Sequence, residues 1–185
     1  MLELKTPLGD EAVAALRAGD RVLITGHVYT ARDAAHARLM KSLQAGEPLP
    51  FELKGQVVYY VGPSPAKPGR VIGSAGPTTS GRMDPYTPAL LERGLKAVIG
   101  KGSRSMAVRE ALKRYNAVYL AAVGGAAALI TRCITANELV AYDDLGPEAI
   151  RRLTVERFPV VVINDARGGD LYEEGLKQYC QAGPA

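Results

Sequence analysis

The chain has 185 residues, of which 47% are apolar and 23% charged, with a net charge of +4. That length points to a single domain over residues 1–185, able to bury roughly 70% of its unfolded surface without crosslinks, and the composition argues against disorder. Basic residues are scattered, with Arg151-Arg152 and Lys113-Arg114 the only adjacent pairs, so no nucleic-acid groove is expected; a mild positive balance suits small acidic substrates or an acidic partner.

In chain order, Leu2 to Lys5 reads as a short strand and Asp10 to Arg17 as a short helix stopped by Gly19. Arg21 to Thr25 is an apolar strand closed by Gly26. Ala31 to Gln44 is predicted helical, with Ala34, Ala35, Leu39, Met40 and Leu43 on one face, Thr30 as its cap and Asp33 as the reciprocal acid. Val57 to Val61 is a buried-type strand. The prolines of 62–69 enforce a loop, and Val71-Ile72 begins another strand. Asp84-Pro85 predicts a helix start, with Leu90, Leu91 and Leu95 turned inward.

Ala97 to Gly100 is a strand, Ser105 to Tyr115 a helix and Ala117 to Val123 a strand; Gly124-Gly125 and an alanine-rich turn or helix follow. Ile134 to Tyr142, Leu153 to Val155 and Pro159 to Asn164 read as later strands, and the tail beyond about residue 165 shows no clear element. Strands alternating with helices in the middle and strand-rich ends predict a mixed α/β layered domain.

The stretch Gly73-Ser-Ala-Gly-Pro-Thr-Thr-Ser-Gly-Arg-Met-Asp-Pro-Tyr86 is too polar and too broken for core. Glycines let backbone donors approach a ligand, and Arg82 can grip a carboxylate with two parallel bonds. It lies between a strand end and a helix, where open α/β sheets bind ligands. Thr78, Thr79 and Arg82 are its polar tips. The alternative is a turn whose hydroxyls serve its own backbone.

Lys101, in Gly100-Lys-Gly-Ser103, sits at another strand end. It is not a phosphate-binding P-loop, because Leu95 and Gly102 break that pattern. It meets an anion or is simply solvated. Arg32 in a first helical turn opposes the helix dipole, which favours a ligand role. His27 and His36 lack metal spacing and read as packed or hydrogen-bonded histidines. Gly124-Gly125-Ala-Ala-Ala is either a nest of backbone donors or close packing. Three cations at strand–helix junctions suit a small dicarboxylate, but a threonine is a poor base unaided.

Cys133 and Cys180 are the only cysteines, too few for an iron–sulfur cluster; two reduced thiols in a cytoplasmic protein are expected. The N-terminus lacks the pattern of a signal peptide, and no apolar run is long enough to span a membrane.

Together with Ala31-Arg-Asp-Ala-Ala-His36, Gly100-Lys-Gly102 and Gly124-Gly-Ala-Ala127, the motif from Gly73 to Tyr86 resembles the β region of the iron–sulfur hydro-lyases, that is, class I fumarases and L-tartrate dehydratases. The resemblance covers most of the chain. It implies a swivelling β/β/α three-layer domain, with a mixed or parallel sheet and a second antiparallel sheet. It implies a separate β subunit, since the chain opens on methionine and stops soon after the domain. The partner would be an α subunit carrying the 4Fe–4S cluster, in a hetero-oligomer such as α2β2, with no metal bound by this chain. By the same resemblance Arg32, Arg82 and Lys101 would hold carboxylates, Thr79 would add a hydrogen bond, and Thr78 would take part in proton transfer. The implied reaction is reversible hydration of fumarate to (S)-malate, because Gly81 to Tyr86 looks more like the fumarases. L-tartrate dehydration to oxaloacetate is the alternative, and a stand-alone anion-binding module a further one.

Overall fold

The computed structural model describes residues 1–123, 125 and 127–180. Strands β1 (Leu2–Lys5), β2 (Arg21–Thr30), β3 (Val57–Tyr59), β4 (Ala97–Gly100) and β5 (Val118–Ala121) lie side by side and parallel. Helices α1 (Asp10–Ala15), α2 (Asp33–Ala45), α3 (Thr87–Glu92) and α4 (Met106–Arg114) occupy the successive crossovers. Helix α5 (Ala127–Arg132), strand β6 (Ile134–Ala141), strand β7 (Ile150–Asn164) and helix α6 (Leu171–Tyr179) complete the order.

Among the described residues, all seven strands belong to one sheet, ordered β1-β2-β3-β4-β5-β7-β6, and β7 also pairs with β2. The pairings β2-β3-β4-β5-β7-β2 therefore close a ring. Every strand of that ring is antiparallel to β7 or parallel to the others.

Strands β3, β4 and β5 are apolar and buried on both faces, as strands covered on both sides must be. Side chains alternate with the pleat. Val57, Tyr59, Ala97, Ile99, Val118 and Leu120 join a core inside the ring, with Ile24 from β2 and Leu153 and Val160 from β7. Val58, Tyr60, Val98 and Tyr119 face outward into a second core with Leu39, Leu90, Leu91 and Leu112 from α2, α3 and α4.

Several expected boundaries move. Strand β2 does not stop at Gly26 but runs on to Thr30. Gly26 has φ +122, a backbone that L side chains rarely adopt, and a Cβ there would strike Thr6. It marks a bulge, with the β2–β7 register shifting between Ile24 and Gly26. Opposite it, Arg157 has φ 51. That irregularity and Pro159, which lacks a ladder donor, make β7 read as two strands in sequence; it is one, of 15 residues.

Val71-Ile72 is irregular chain rather than strand. Its loop folds on itself through Ser64 N to Ser74 O at 3.1 Å and Ser74 N to Ser64 Oγ at 2.8 Å. The expected second antiparallel sheet is not separate: β6 and β7 continue the parallel one. The tail carries α6, capped by Asp170, whose Oδ1 accepts from Tyr172 N at 2.9 Å. No helix among the described residues is long and apolar enough to cross a membrane.

Candidate functional site

The carboxyl ends of β2, β3 and β4 lie next to one another, and each delivers candidate residues. At the end of β2, Ala31 N donates to Tyr59 O at 3.2 Å, which places Arg32 beside the end of β3. Arg32 is the residue before α2, not in its first turn, and its side chain caps nothing. Thr30 is not the cap either. It is fully buried, and its Oγ1 donates to Ala149 O at 3.1 Å and accepts from Arg151 N at 2.9 Å. The open amides of α2 are served instead by Glu148, whose Oε2 accepts from Ala34 N at 2.9 Å.

The loop carrying Thr78 is stitched between β3 and β4. Thr78 N donates to Tyr60 O at 2.7 Å, Lys101 N to Thr78 O at 3.2 Å, and Ser80 N to Lys101 O at 2.8 Å. Thr79 and Lys101 thus form a parallel bridge. Thr78 is half-buried, whereas Thr79 and Lys101 are exposed. A 3-10 turn, Ser80–Met83, follows; it buries Ser80 and Met83 and leaves Arg82 outside.

Asp33 joins the two arginines. Arg82 Nε donates to Asp33 Oδ1 at 2.9 Å, and Arg32 Nη2 lies 3.6 Å from Asp33 Oδ2 and 3.6 Å from Glu148 Oε1. So Arg32 and Arg82 converge on one carboxylate, while Thr78, Thr79 and Lys101 share one backbone bridge. Among the described residues no ion pair joins Lys101 to either group.

Buried polar atoms without a partner gather at the start of α2: Arg32 Nε, Asp33 Oδ2 and His36 Nε2. Buried polar groups are nearly always satisfied, so three at one helix start suit a place that a ligand or partner completes. His36 is fully buried, and burial, foremost, lowers its pKa to about 4. Its Nδ1 sits 2.8 Å from Arg32 O.

Asp84 does not begin α3, whose preceding residue is Tyr86. Asp84 reaches across instead, accepting from Arg104 Nε at 2.7 Å and from Ser105 N at 2.6 Å. Asp33, expected as the reciprocal acid of a cap, is instead the carboxylate between the two arginines. Nothing local in the sequence marks Arg104 or Glu148 for the roles they take, beyond Arg104 being a cation next to the Lys101 loop and just before the Ser105 cap. The expected nest includes Gly124 and Ala126, which lie outside the described residues.

Gly100 sets how closely these loops approach. A Cβ there would collide with Ser80 Oγ and come within 3.0 Å of the Tyr60 ring and 3.2 Å of Thr78 O. Overpacking of this kind costs about 1–3 kcal/mol. Gly100→Ala is therefore expected to lower the unfolding free energy measured in urea by that amount, with a lower midpoint, and to push Thr78 away from Lys101. An unchanged midpoint would show that the loops have slack.

No group of three or more His, Cys, Asp or Glu side chains among the described residues is placed to hold a metal ion. Cys133 is half-buried, Cys180 exposed, and both are free thiols.

The family model described as "Fumarase C-terminus" matches residues 1–175. The chain is 42% identical over 156 residues to "Fumarate hydratase 1, mitochondrial" of Leishmania major, covering 83% of this chain and 28% of that one. It is 38% identical over 162 residues to "Fumarate hydratase class I, anaerobic" of Escherichia coli, covering 86% of this chain and 30% of that one. It is also 38% identical over 172 residues to "Putative L(+)-tartrate dehydratase subunit beta" of Methanocaldococcus jannaschii, covering 90% of this chain and 88% of that one. The chain thus spans less than a third of each fumarate hydratase just named.

Proposed function

The chain belongs to the fumarase C-terminus family, and from that premise we propose that it is the β component of a two-subunit hydro-lyase, which clamps a small dicarboxylate for reversible hydration of fumarate to (S)-malate. The observation that carries this reading is the convergence of Arg32 and Arg82 on the carboxylate of Asp33. Two guanidinium groups that share one carboxylate are placed to receive another from a ligand. Lys101 and Thr79 supply a further cation and hydroxyl from the neighbouring bridge.

In this reading Arg32, Arg82 and Lys101 hold the carboxylates by charge-assisted hydrogen bonds. Thr79 adds one hydrogen bond. Thr78, half-buried beside Lys101, exchanges a proton at the carbon next to a carboxylate. The ring closed by β7 and the helices outside it serve as a three-layer β/β/α domain that swivels against its partner.

The iron–sulfur cluster that the resemblance implies does not fit this chain. Its two free cysteines fall short of the usual ligand number. We place the cluster on an α subunit, in a complex such as α2β2, and draw no step through it. Free thiols also suit a reducing cytoplasm.

A second reading keeps the clamp and changes the substrate to L-tartrate, giving oxaloacetate. It is favoured by the near full-length match to a relative named as a tartrate dehydratase β subunit.

The test is anaerobic reconstitution with a cysteine-bearing α subunit. The isolated chain is expected to be inactive, and the complex to hydrate fumarate and to lose activity in air. Full activity of the isolated chain would falsify the proposal. The ratio of kcat/KM for malate to that for tartrate decides between the substrates. Dicarboxylate binding without any partner, and no gain on mixing, would instead mark a stand-alone anion-binding module.

A further inference from the structure

Beneath their exposed tips, the Thr78–Arg82 loop and the Lys101 loop share a buried polar network. Ser80 Oγ donates to Tyr119 Oη at 3.0 Å, and Tyr119 Oη donates to Gly102 O at 2.7 Å. One phenol therefore joins the first loop to the second. Arg104 and Asp84 make a second tie. Asp84 closes the 3-10 turn that carries Arg82, and it accepts from both Arg104 Nε and Ser105 N, at 2.7 and 2.6 Å.

The rest of the Arg104 fork is also engaged. Nη2 donates to Thr87 Oγ1 at 2.7 Å and Nη1 to Tyr60 Oη at 3.4 Å. Its guanidinium carbon lies 5.4 Å from the Tyr60 ring centroid and 5.1 Å from that of Tyr119. The side chain is fully buried, and its Asp84 partner is half-buried.

A buried ion pair is a poor way to gain stability, because desolvation offsets the attraction. Capping does not require it either, since Ser105 Oγ already accepts from Val108 N at the start of α4. What a fully bonded network supplies is rigidity and a single geometry.

We propose that Arg104 and Tyr119 are positioning residues. They lock the loop bearing Thr78 and Arg82 to the loop bearing Lys101, and so fix the spacing between the two cations. The kinetic part of this inference rests on the clamp reading above; the locking itself does not.

Tyr119→Phe removes both bonds of the phenol and keeps the ring. Arg104→Lys keeps the charge and loses the fork. In the reconstituted complex, peptides covering 78–84 and 100–105 are expected to exchange their amides about tenfold faster in Tyr119→Phe, as suits the loss of two ordinary hydrogen bonds. Both segments should change together, and KM for the dicarboxylate should rise several-fold while kcat changes less.

Wild-type exchange in either segment overturns the locking. Unchanged KM in Tyr119→Phe, where Arg82→Ala and Lys101→Ala both raise it, overturns the positioning role. If those two alanine variants leave KM unchanged, the clamp reading fails, and the exchange result still decides whether the loops are locked. Should Arg104→Lys fail to fold, Tyr119→Phe carries the test alone.

Discussion

Arg82→Ala is expected to lower kcat/KM of the reconstituted complex by about ten- to a hundredfold, which is the loss of one charge-assisted contact of roughly 1.5–3 kcal/mol. The fold should barely notice. Arg82 is 52% exposed and its ion pair is with Asp33; a surface pair of this kind contributes about 0–1 kcal/mol. For a domain of this size that moves the thermal midpoint by no more than about 2–4 °C. The substitution also leaves the backbone bridge between Ser80 and Lys101 untouched.

The split between constants adds detail. If Arg82 holds a carboxylate equally in the ground and transition states, KM rises and kcat stays. If it also aligns the substrate against Thr78, kcat falls as well. Arg82→Lys keeps the charge but cannot reproduce a two-pronged grip, so it should recover only part of the loss. Loss of folding in Arg82→Ala would make the loop structural and remove it from the clamp.

The alternation of strand and helix was legible because β3, β4 and β5 are buried on both faces and therefore read as unbroken apolar runs. Strands form in all three expected runs, over the whole of Ala97–Gly100 but only over Val57–Tyr59 and Val118–Ala121 of the longer stretches expected at 57–61 and 117–123. Glycine and proline misled the reading where the fold uses them inside strands. Gly26 is a bulge and Pro159 sits within β7, because tertiary pairing carries a strand across a residue that would end it locally.

The candidate residues at the strand ends were legible for a related reason. Strand-to-helix junctions are local, so Arg32, Thr78, Arg82 and Lys101 could be placed at them from sequence alone. Which groups they would meet could not. Asp33 is 49 residues from Arg82, and Glu148 is 114 residues from Ala34. No local pattern selects such partners. Thr30 shows the converse: a hydroxyl before a helix looks like a cap, yet it is spent on Ala149 and Arg151 across the fold. Asp84 likewise ties two loops instead of starting the helix that follows it.

Acidification is expected to destabilise the protein through His36, well before most carboxylates titrate. The ring is enclosed by Tyr60, edge-on with centroids 5.4 Å apart, and by Tyr86, stacked at 5.7 Å. Burial is the chief reason its pKa falls to about 4; the Arg104 cation also lowers it, while the bond to Arg32 O and the Asp33 charge work the other way. In the neutral ring Nδ1–H donates to Arg32 O at 2.8 Å. Protonation would put a second N–H on Nε2, which has no acceptor among the described residues.

The unfolded chain therefore takes up this proton near pH 6.5, and the folded chain only near pH 4. Between those values the unfolded state binds more protons, so stability rises with pH. The contribution is fully present above about pH 6.5 and is lost as pH falls towards 4, at about 1.4 kcal/mol per unit. That amounts to about 2 kcal/mol by pH 5.

Urea unfolding at several pH values between 4.5 and 8 measures the slope. His36→Asn keeps an amide donor for Arg32 O and cannot titrate. Its stability should be lower at neutral pH, from the cavity it leaves, but nearly flat between pH 6.5 and 5. If the variant keeps the wild-type slope, another group carries the titration. If the wild type itself shows no slope there, the imidazole finds an acceptor on protonation and is not held neutral by its surroundings.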